Sequence, residues 1–264
     1  DRTPDPLKER YLPMDITSTS EVDAIMDKER PDAVIHTAAM TNVDACELDP
    51  IACTAQNVFA TENLVHASER TGSHFIHLST DFIFDGEHGP YREEDLPGPL
   101  SLYGHSKLQS EQLVKQSKLA KWAIARTIIV YGVAEGLSRS NVVLWAKSAL
   151  EKGQPITVVD DQWRMPTLAE DLADGCIRIA KQGATGTYHL SGPDGMSILE
   201  LVERVGKFFK LDTGVVKPIK SASLGQPAKR PPRTGFVLDK ARKELGYAPR
   251  GFEAGLEVLK AQLG

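Results

Sequence analysis

Residues 74–81 read HFIHLSTD, a mostly apolar run that ends in three polar residues. A short run of this kind is typical of a strand that is buried on both faces of a parallel sheet. AVIHTA at 33–38 and WAIARTIIVY at 122–131 predict two further strands, and segments 50–70 and 102–117 have helical periodicity. Strands that alternate with helices predict an α/β fold with a Rossmann-like doubly wound parallel sheet.

The second half of the chain has a less regular pattern. The predicted elements are a short strand at 151–159, a helix at 168–181, a strand at 186–190, an amphipathic helix at 198–209, a Pro-rich and basic loop at 217–235, and a last helix at 251–263. We expect a dinucleotide-binding domain at 1–135, to which 155–182 returns. Residues 136–154 and 183–264 would then form a smaller α/β substrate-binding domain.

Composition excludes several classes of protein. The 264 residues carry a net charge of −5, which argues against a general nucleic-acid binder because such proteins present a basic surface. No apolar run approaches the roughly 20 residues that a membrane span needs. Cys46, Cys53 and Cys176 are odd in number and lack a C-x-x-C pair, so we expect a reducing, cytoplasmic setting and no metal site.

Polar and small residues follow the first two predicted strands. Ser79, Thr80 and Asp81 end one of them, at the edge where a parallel sheet binds its ligands. Turn and capping chemistry is the alternative, because Ser, Thr and Asp favour both. AAMT at 38–41 follows the preceding strand. Small residues there let the backbone approach a flat ligand, although they also suit close helix–strand packing.

LYGHSKLQSE at 102–111 places Tyr103 and Lys107 four residues apart on a predicted helix. Such a pair shares one helix face, with Cβ atoms about 5–6 Å apart. It is either a surface pair in which Lys107 lies along the ring, or a proton donor whose pKa a neighbouring cation lowers. His36 and His77 lie within apolar strands, and we expect them in the core or behind a site rather than as ligands.

The order of these motifs resembles the extended short-chain dehydrogenase/reductase family: AAMTNVD, then STD, YGHSK and ARTIIVYG. Longer strings are similar to dTDP-4-dehydrorhamnose reductases and their relatives, namely HLSTDFIFDGEHGPYREEDLPGPLSLYGHSKLQSE, VVDDQWRMPTLAEDLADG and PAKRPPRTGFVLD. The resemblance implies NADP or NAD as the cofactor and a nucleotide-linked 4-keto-6-deoxy sugar as the substrate. dTDP-4-dehydrorhamnose, reduced to dTDP-rhamnose, is the expected case.

The resemblance also implies a role for each site residue. Tyr103 would donate a proton to the ketone oxygen, Thr80 would hydrogen-bond that oxygen, and Lys107 would lower the pKa of the phenol and hold the nicotinamide ribose. The implied cofactor-binding residues are Asp15, Ile16, Ala38, Ala39, Thr41, Asn57, Ser79, Tyr103, Lys107 and Ile129. The implied substrate-binding residues are Thr80, Asp81, Gln162, Arg164 and Arg230.

Two of these substrate residues have open alternatives. Asp81 either contacts the sugar or orients the loop that follows the strand. Arg230 either binds the substrate diphosphate, as Arg does bidentately, or belongs to a solvated basic loop.

Three departures from the family pattern limit the resemblance. The glycine-rich phosphate-binding motif is not found, and residues 1–18 resemble the segment after the family's second strand. We therefore expect an incomplete N-terminus that lacks a strand–turn–helix unit of roughly 30 residues. Ile128 and Ile129 stand where rhamnose-type reductases often carry Ser-Trp, and Arg164 and Met165 stand where small residues are common. Arg2 hints weakly at a cofactor 2′-phosphate.

Other functions on the same scaffold stay open at this point. One is a non-catalytic, NADP-binding regulatory protein similar to the β subunit of methionine adenosyltransferase. Another is a nucleotide-sugar epimerase or dehydratase, although a dehydratase is expected to have acidic residues beside the catalytic threonine, where TDF offers only Asp81. A nucleotide sugar is the expected partner, together with a possible homodimer, and neither nucleic acid nor a membrane is expected.

Overall fold

A computed structural model describes residues 11–134 and 141–264. The helices are α1 (Thr19–Glu29), α2 (Val43–Leu48), α3 (Pro50–Thr54), α4 (Ala60–Thr71), α5 (Leu102–Gln116), α6 (Val142–Glu151), α7 (Ala169–Gln182), α8 (Ile198–Phe209), α9 (Asp239–Leu245) and α10 (Phe252–Leu263). The strands are β1 (Ala33–His36), β2 (His74–Thr80), β3 (Trp122–Thr127), β4 (Val130–Tyr131), β5 (Ile156–Val159), β6 (Trp163–Arg164), β7 (Thr167–Leu168), β8 (Gly186–His189), β9 (Met196–Ser197) and β10 (Val216–Ile219).

The central sheet has the order β1-β2-β3-β8, and its strands are parallel. Phe75 and Ile124 point to one face and pack in a buried cluster with α1, α4 and α5. Ile76 and Ala125 point to the other face and pack with α7 and α9. Both faces are therefore covered, as the unbroken apolar strands require. The predicted α/β class and parallel sheet are confirmed.

The predicted strand at 122–131 is wrong as one element. β3 ends at Thr127, and the chain leaves the sheet before β4 pairs with β7. Ile129 makes this turn with a φ of 31°, a left-handed conformation that is strained for a β-branched residue. Strain of this kind clusters at functional sites, and Ile129 lies at the sheet edge where ligands bind.

Two other predicted elements have different bounds. The helix predicted over 50–70 is interrupted by a π-helical segment, Ala55–Phe59, between α3 and α4. π-helical turns often occur at functional sites. The strand predicted over 151–159 begins only at Ile156, because α6 continues to Glu151.

A second apolar core forms from α6, α8 and α10, with Val143, Leu201 and Leu256 among its buried residues. β5 and β10 form a separate parallel pair beside it. β8, in contrast, pairs with β3 in the central sheet, although the predicted division puts 183–264 in the substrate-binding part. The division into two domains stays a prediction, and residues 186–189 lie on the central sheet.

None of the helices within the described ranges combines the length and the apolar character needed to cross a membrane.

Candidate active site

A cleft lies at the carboxyl ends of β1, β2 and β3 and consists of three adjoining cavities. The central cavity has a volume of about 460 Å³. A second cavity of about 680 Å³ shares Thr37 and Ala39 with it. A third of about 320 Å³ shares Gln162 and Arg230 with the central one. The shared lining residues show that the second and third cavities each adjoin the central one.

The three predicted catalytic residues, Thr80, Tyr103 and Lys107, all line the central cavity. Thr80 is the last residue of β2, and α5 begins directly before Tyr103. Ser101 caps this helix by accepting a hydrogen bond from the Gly104 N–H at 3.2 Å. A Cβ at Gly104 would overlap the carbonyl oxygen of Phe82. Glycine at this position therefore lets α5 approach the loop after β2 and brings Tyr103 beside Thr80.

Tyr103 is buried in a small apolar cluster with Cys46 and Cys53. Its ring packs edge-to-face with the ring of Phe82, with 5.8 Å between centroids. The Thr80 hydroxyl lies near the phenol and acts to lower its pKa. These contacts fix the phenol at the wall of the cavity, so the alternative of a surface Tyr–Lys pair is wrong.

Burial raises the pKa of Tyr103 above its ordinary value, and the nearby Asp81 carboxylate adds to the rise. The prediction that Lys107 lowers this pKa is therefore wrong for the arrangement described. The physical reason is desolvation, which disfavours the charged phenolate. Tyr103 is consequently protonated at neutral pH, which is the form that a proton donor requires.

Lys107 is 3% exposed and points into the cleft from the same face of α5. Its Nζ lies 3.2 Å from Nε2 of His77 on β2. Burial lowers the pKa of Lys107 to about 8, and the charge of Glu111 opposes this shift. The lysine therefore changes its charge near physiological pH.

Asp81 lines the central cavity and also contacts the loop beside it, so both of its predicted roles stay open. Its Oδ1 accepts a hydrogen bond from Thr80 at 3.1 Å, and Oδ2 accepts one from the Thr234 hydroxyl. The Arg164 guanidinium lies 3.7 Å away. Burial raises the pKa of Asp81, although Arg164 and these hydrogen bonds oppose the rise. The carboxylate thus ties segment 230–235 to the end of β2.

The two arginines predicted to bind the substrate have different surroundings. Arg164 is buried and donates to the backbone carbonyls of Trp163 at 2.7 Å and Pro231 at 2.8 Å. Its guanidinium lines the central cavity, but these hydrogen bonds to backbone carbonyls already occupy it. Arg230 forms a bidentate ion pair with Asp44 of α2, at 2.7 and 3.1 Å. The alternative of a solvated basic loop is therefore wrong for Arg230.

The remaining predicted residues are distributed along the cleft. Asp15, Ile16, Ala38 and Ala39 line the second cavity, Ala39, Thr41, Ser79 and Ile129 line the central one, and Gln162 lines the central and third cavities. Asn57 does not line these cavities. Its side chain bonds the Met40 N–H at 2.7 Å and the Ser106 hydroxyl at 2.9 Å, behind the site. Arg2 lies outside the described residues.

Sequence reasoning missed Asp44, Thr234 and Lys229, and it placed His77 in the core or behind a site without a partner. Lys229 lines the third cavity. Asp44 is 186 residues from its partner Arg230 in the sequence, and Thr234 is 153 residues from Asp81. Local sequence patterns cannot predict contacts at such separations. For His77 the signal was present, since a histidine within an apolar strand needs a partner for its ring nitrogens.

Asp44→Asn is expected to lower the free energy of unfolding by about 1 kcal/mol, because it removes a charge from a partly buried, bidentate pair. The Arg230 side chain is only 16% exposed. Lys220→Met is the matched control, since Lys220 is 67% exposed in its pair with Asp160 and exposed pairs contribute little. Urea denaturation measures both variants. Equal losses would contradict a special role for the Asp44–Arg230 pair.

Comparison with known proteins identifies relatives of this chain. A family model described as the RmlD substrate binding domain matches residues 6–263. A probable low-salt glycan biosynthesis reductase of Haloferax volcanii is 33% identical over 251 residues, 94% of this chain and 83% of that protein. Methionine adenosyltransferase 2 subunit beta of Bos taurus is 31% identical over 247 residues, 91% of this chain and 73% of that one.

Solved structures are similar as well. The dTDP-4-dehydrorhamnose reductase of Bacillus anthracis in complex with NADP aligns with a TM-score of 0.88 and 29% identity, over 94% of this chain and 87% of that chain. A dTDP-4-dehydrorhamnose reductase of Clostridium acetobutylicum aligns with a TM-score of 0.86 and 28% identity, with the same coverage.

Proposed function

The chain belongs to the RmlD substrate binding domain family, and from that premise we propose that it reduces the 4-keto group of a nucleotide-linked 6-deoxy sugar. It is an NAD(P)-dependent oxidoreductase of the short-chain dehydrogenase/reductase type, and its likeness to known proteins supports a reductase- or epimerase-type role on a nucleotide sugar. dTDP-4-dehydrorhamnose, with dTDP-rhamnose as the product, is the substrate that we favour.

One observation carries the proposal: Thr80, Tyr103 and Lys107 face one cavity at the carboxyl ends of the sheet. Ketone reduction needs a hydride at carbon and a proton at oxygen. A bound nicotinamide supplies the hydride. The small side chains of Ala38 and Ala39 leave the second cavity open toward Lys107, which fits a flat dinucleotide there.

The chain's own residues handle the proton and the developing charge. Tyr103, protonated at neutral pH, donates its proton to the carbonyl oxygen. Thr80 positions that oxygen by a hydrogen bond, which strengthens as negative charge builds up. Lys107 would hold the nicotinamide ribose through hydrogen bonds that its ammonium donates.

The third cavity suits the nucleotide part of the substrate. Gln162 and Lys229 offer an amide and an ammonium group, and Arg230 lies where this cavity meets the central one. A diphosphate next to Arg230 would keep the sugar at Tyr103 and the base among 221–229. This placement rests on the residues that the third cavity shares with the central one and on the positive charge of Lys229.

A regulatory role is the second candidate, favoured by the 31% identity to methionine adenosyltransferase 2 subunit beta. In that reading the cleft binds a dinucleotide without turnover, and a synthetase subunit is the partner. The discriminating test assays oxidation of NADPH and NADH by the full-length protein against a panel of 4-keto nucleotide sugars. Turnover of a 6-deoxy member supports the reductase. No turnover, together with tight binding to a synthetase subunit, overturns it.

We also infer a reducing, cytoplasmic setting, because Cys46, Cys53 and Cys176 are buried free thiols. A homodimer stays a prediction, which sedimentation of the full-length protein measures.

Turnover is expected to fall as pH rises through about 8. Burial lowers the pKa of Lys107 to about 8, so its ammonium is present below that pH and lost above it. The pKa of Tyr103 is raised, so its phenol stays protonated over the same range. The measurement is kcat/KM against pH. Lys118→Met, a change at an exposed lysine, is the control and should leave the profile unchanged. An activity that stays constant well above pH 8 would contradict the assignment.

A further inference from the structure

The Lys107 ammonium has an unusual partner for a buried cation. Within 11–134 and 141–264, His77 Nε2 at 3.2 Å is the one side-chain atom in hydrogen-bonding distance of Nζ, and no carboxylate lies in ion-pair range. The nearest acidic group on α5, Glu111, is occupied by a bidentate pair with Arg126 at 2.8 and 2.9 Å. The charge of Lys107 is therefore held by a neutral ring.

The chemistry of the two groups fixes the tautomer of His77. An ammonium can only donate hydrogen bonds, so Nε2 must accept and Nδ1 must carry the ring proton. Burial holds the pKa of His77 well below its ordinary value, and the positive charge of Lys107 and the neighbouring His36 lower it further. His36 itself is engaged through Nε2 with the Thr61 hydroxyl, at 3.1 Å. His77 is thus a permanent acceptor at neutral pH.

The other nitrogen of His77 makes this arrangement costly. Nδ1 is buried without a hydrogen-bond partner among the described residues, and an unpaired buried N–H destabilises a fold. An aliphatic side chain at this position of β2, like neighbouring Ile76, would avoid the cost. The structural benefit that offsets it is the hydrogen bond accepted by Nε2.

We propose that His77 is a positioning residue, which holds the Lys107 ammonium at the wall of the central cavity by accepting its hydrogen bond. The kinetic consequence rests on the proposed reductase function, whereas the effect on cofactor affinity does not. Without the acceptor, Lys107 loses a partner for its charged form and gains freedom to leave the wall. The charged groups that face the pair are Glu111 on α5 and, behind it, Arg126 on β3 and Lys115.

The experiment compares three variants of the full-length protein. His77→Leu removes the acceptor, and His77→Gln keeps one, because its amide oxygen can reach the position of Nε2. His74→Leu is the matched control on the same strand, three residues away at the end remote from the cleft. The readouts are NADPH affinity by fluorescence titration at several pH values, the pH profile of kcat/KM, and thermal midpoints.

His77→Leu is expected to weaken NADPH binding about tenfold near pH 7.5, the size of effect that a lost charged hydrogen bond produces. It should also move the alkaline limb of kcat/KM to lower pH by about one unit. His77→Gln should keep most of the NADPH affinity and leave the alkaline limb close to its wild-type position. His74→Leu should change neither quantity. A structural role alone would move the thermal midpoint of the histidine variants without moving the pH profile.

Equal losses in the Leu and Gln variants, or an unshifted alkaline limb in His77→Leu, would overturn the proposal. If His77→Leu does not fold, His77→Asn replaces it, because its shorter amide cannot reach the position of Nε2. The His77→Gln variant must then bind NADPH more tightly than the His77→Asn variant. If the wild-type protein reduces none of the sugars tested, the proposed function fails, and the affinity comparison still decides the role of His77.

Discussion

Replacing Tyr103 with phenylalanine is expected to lower kcat by roughly 10²–10⁴-fold, the contribution typical of a positioned general acid. The change removes only the phenol oxygen. The ring keeps its contacts with Phe82, Cys46 and Cys53, so the cleft should retain its shape. Cofactor affinity, measured by NADPH fluorescence, is expected to stay close to that of the wild type.

Tyr188→Phe is the matched control for this variant. Tyr188 is also buried, and its hydroxyl donates to Glu244 at 2.9 Å, away from the cleft. It should cost some stability and leave kcat unchanged. Wild-type turnover in Tyr103→Phe would remove Tyr103 as the proton donor. A loss of cofactor binding equal to the loss of turnover would instead show that the hydroxyl acts in binding.

Arg126→Met is expected to lower the free energy of unfolding by about 3–5 kcal/mol, the usual consequence of removing one partner of a buried ion pair. Arg126 and Glu111 are 2% and 0% exposed and share two hydrogen bonds. Arg126 also donates to the Glu93 carbonyl at 3.1 Å. The variant leaves the Glu111 carboxylate buried, with Lys115 at 3.2 Å as its remaining ion-pair partner.

Two comparisons give this stability prediction its specificity. Arg178→Met breaks an exposed pair with Asp174 and should cost no more than about 1 kcal/mol. The double variant Glu111→Leu with Arg126→Met should recover part of the loss, because no buried charge is left unpaired. Denaturant unfolding of the wild type and the three variants measures these differences in the free energy of unfolding. Equal losses for Arg126→Met and Arg178→Met would contradict the account.

The same pair gives the stability a pH dependence. Burial alone would raise the pKa of Glu111, but the hydrogen bonds and charge of Arg126 lower it below its ordinary value. A lowered carboxyl pKa means that the unfolded chain binds the proton more readily than the folded one. The stabilisation is therefore present above the unfolded pKa and is lost as pH falls through the folded pKa.

Local patterns in the sequence were sufficient for the sheet and for the central residues of the site. An apolar run that ends in Ser79, Thr80 and Asp81 indicates both a parallel strand and its functional end. The four-residue spacing of Tyr103 and Lys107 places both on one face of a single helix. These features depend on neighbours within a few residues, and periodicity reports such neighbours directly.

Contacts between distant segments could not be predicted in the same way. The ion pair of Arg230 with Asp44 and the commitment of Arg164 to backbone carbonyls arise only when segment 230–235 folds over the cleft. The raised pKa of Tyr103 likewise follows from burial, which spacing alone does not give. The left-handed turn at Ile129 could not be predicted from the sequence, because a β-branched side chain favours an extended strand.

The most direct test of the account follows deuterium from [4-²H]NADPH into a 4-keto-6-deoxy nucleotide sugar incubated with the full-length protein. The account predicts deuterium on carbon 4 of the reduced sugar, detected by NMR, and almost none with Tyr103→Phe at equal protein concentration. An unchanged sugar in the presence of bound cofactor, or a reduced sugar without deuterium at carbon 4 when both cofactor faces are labelled, would contradict it.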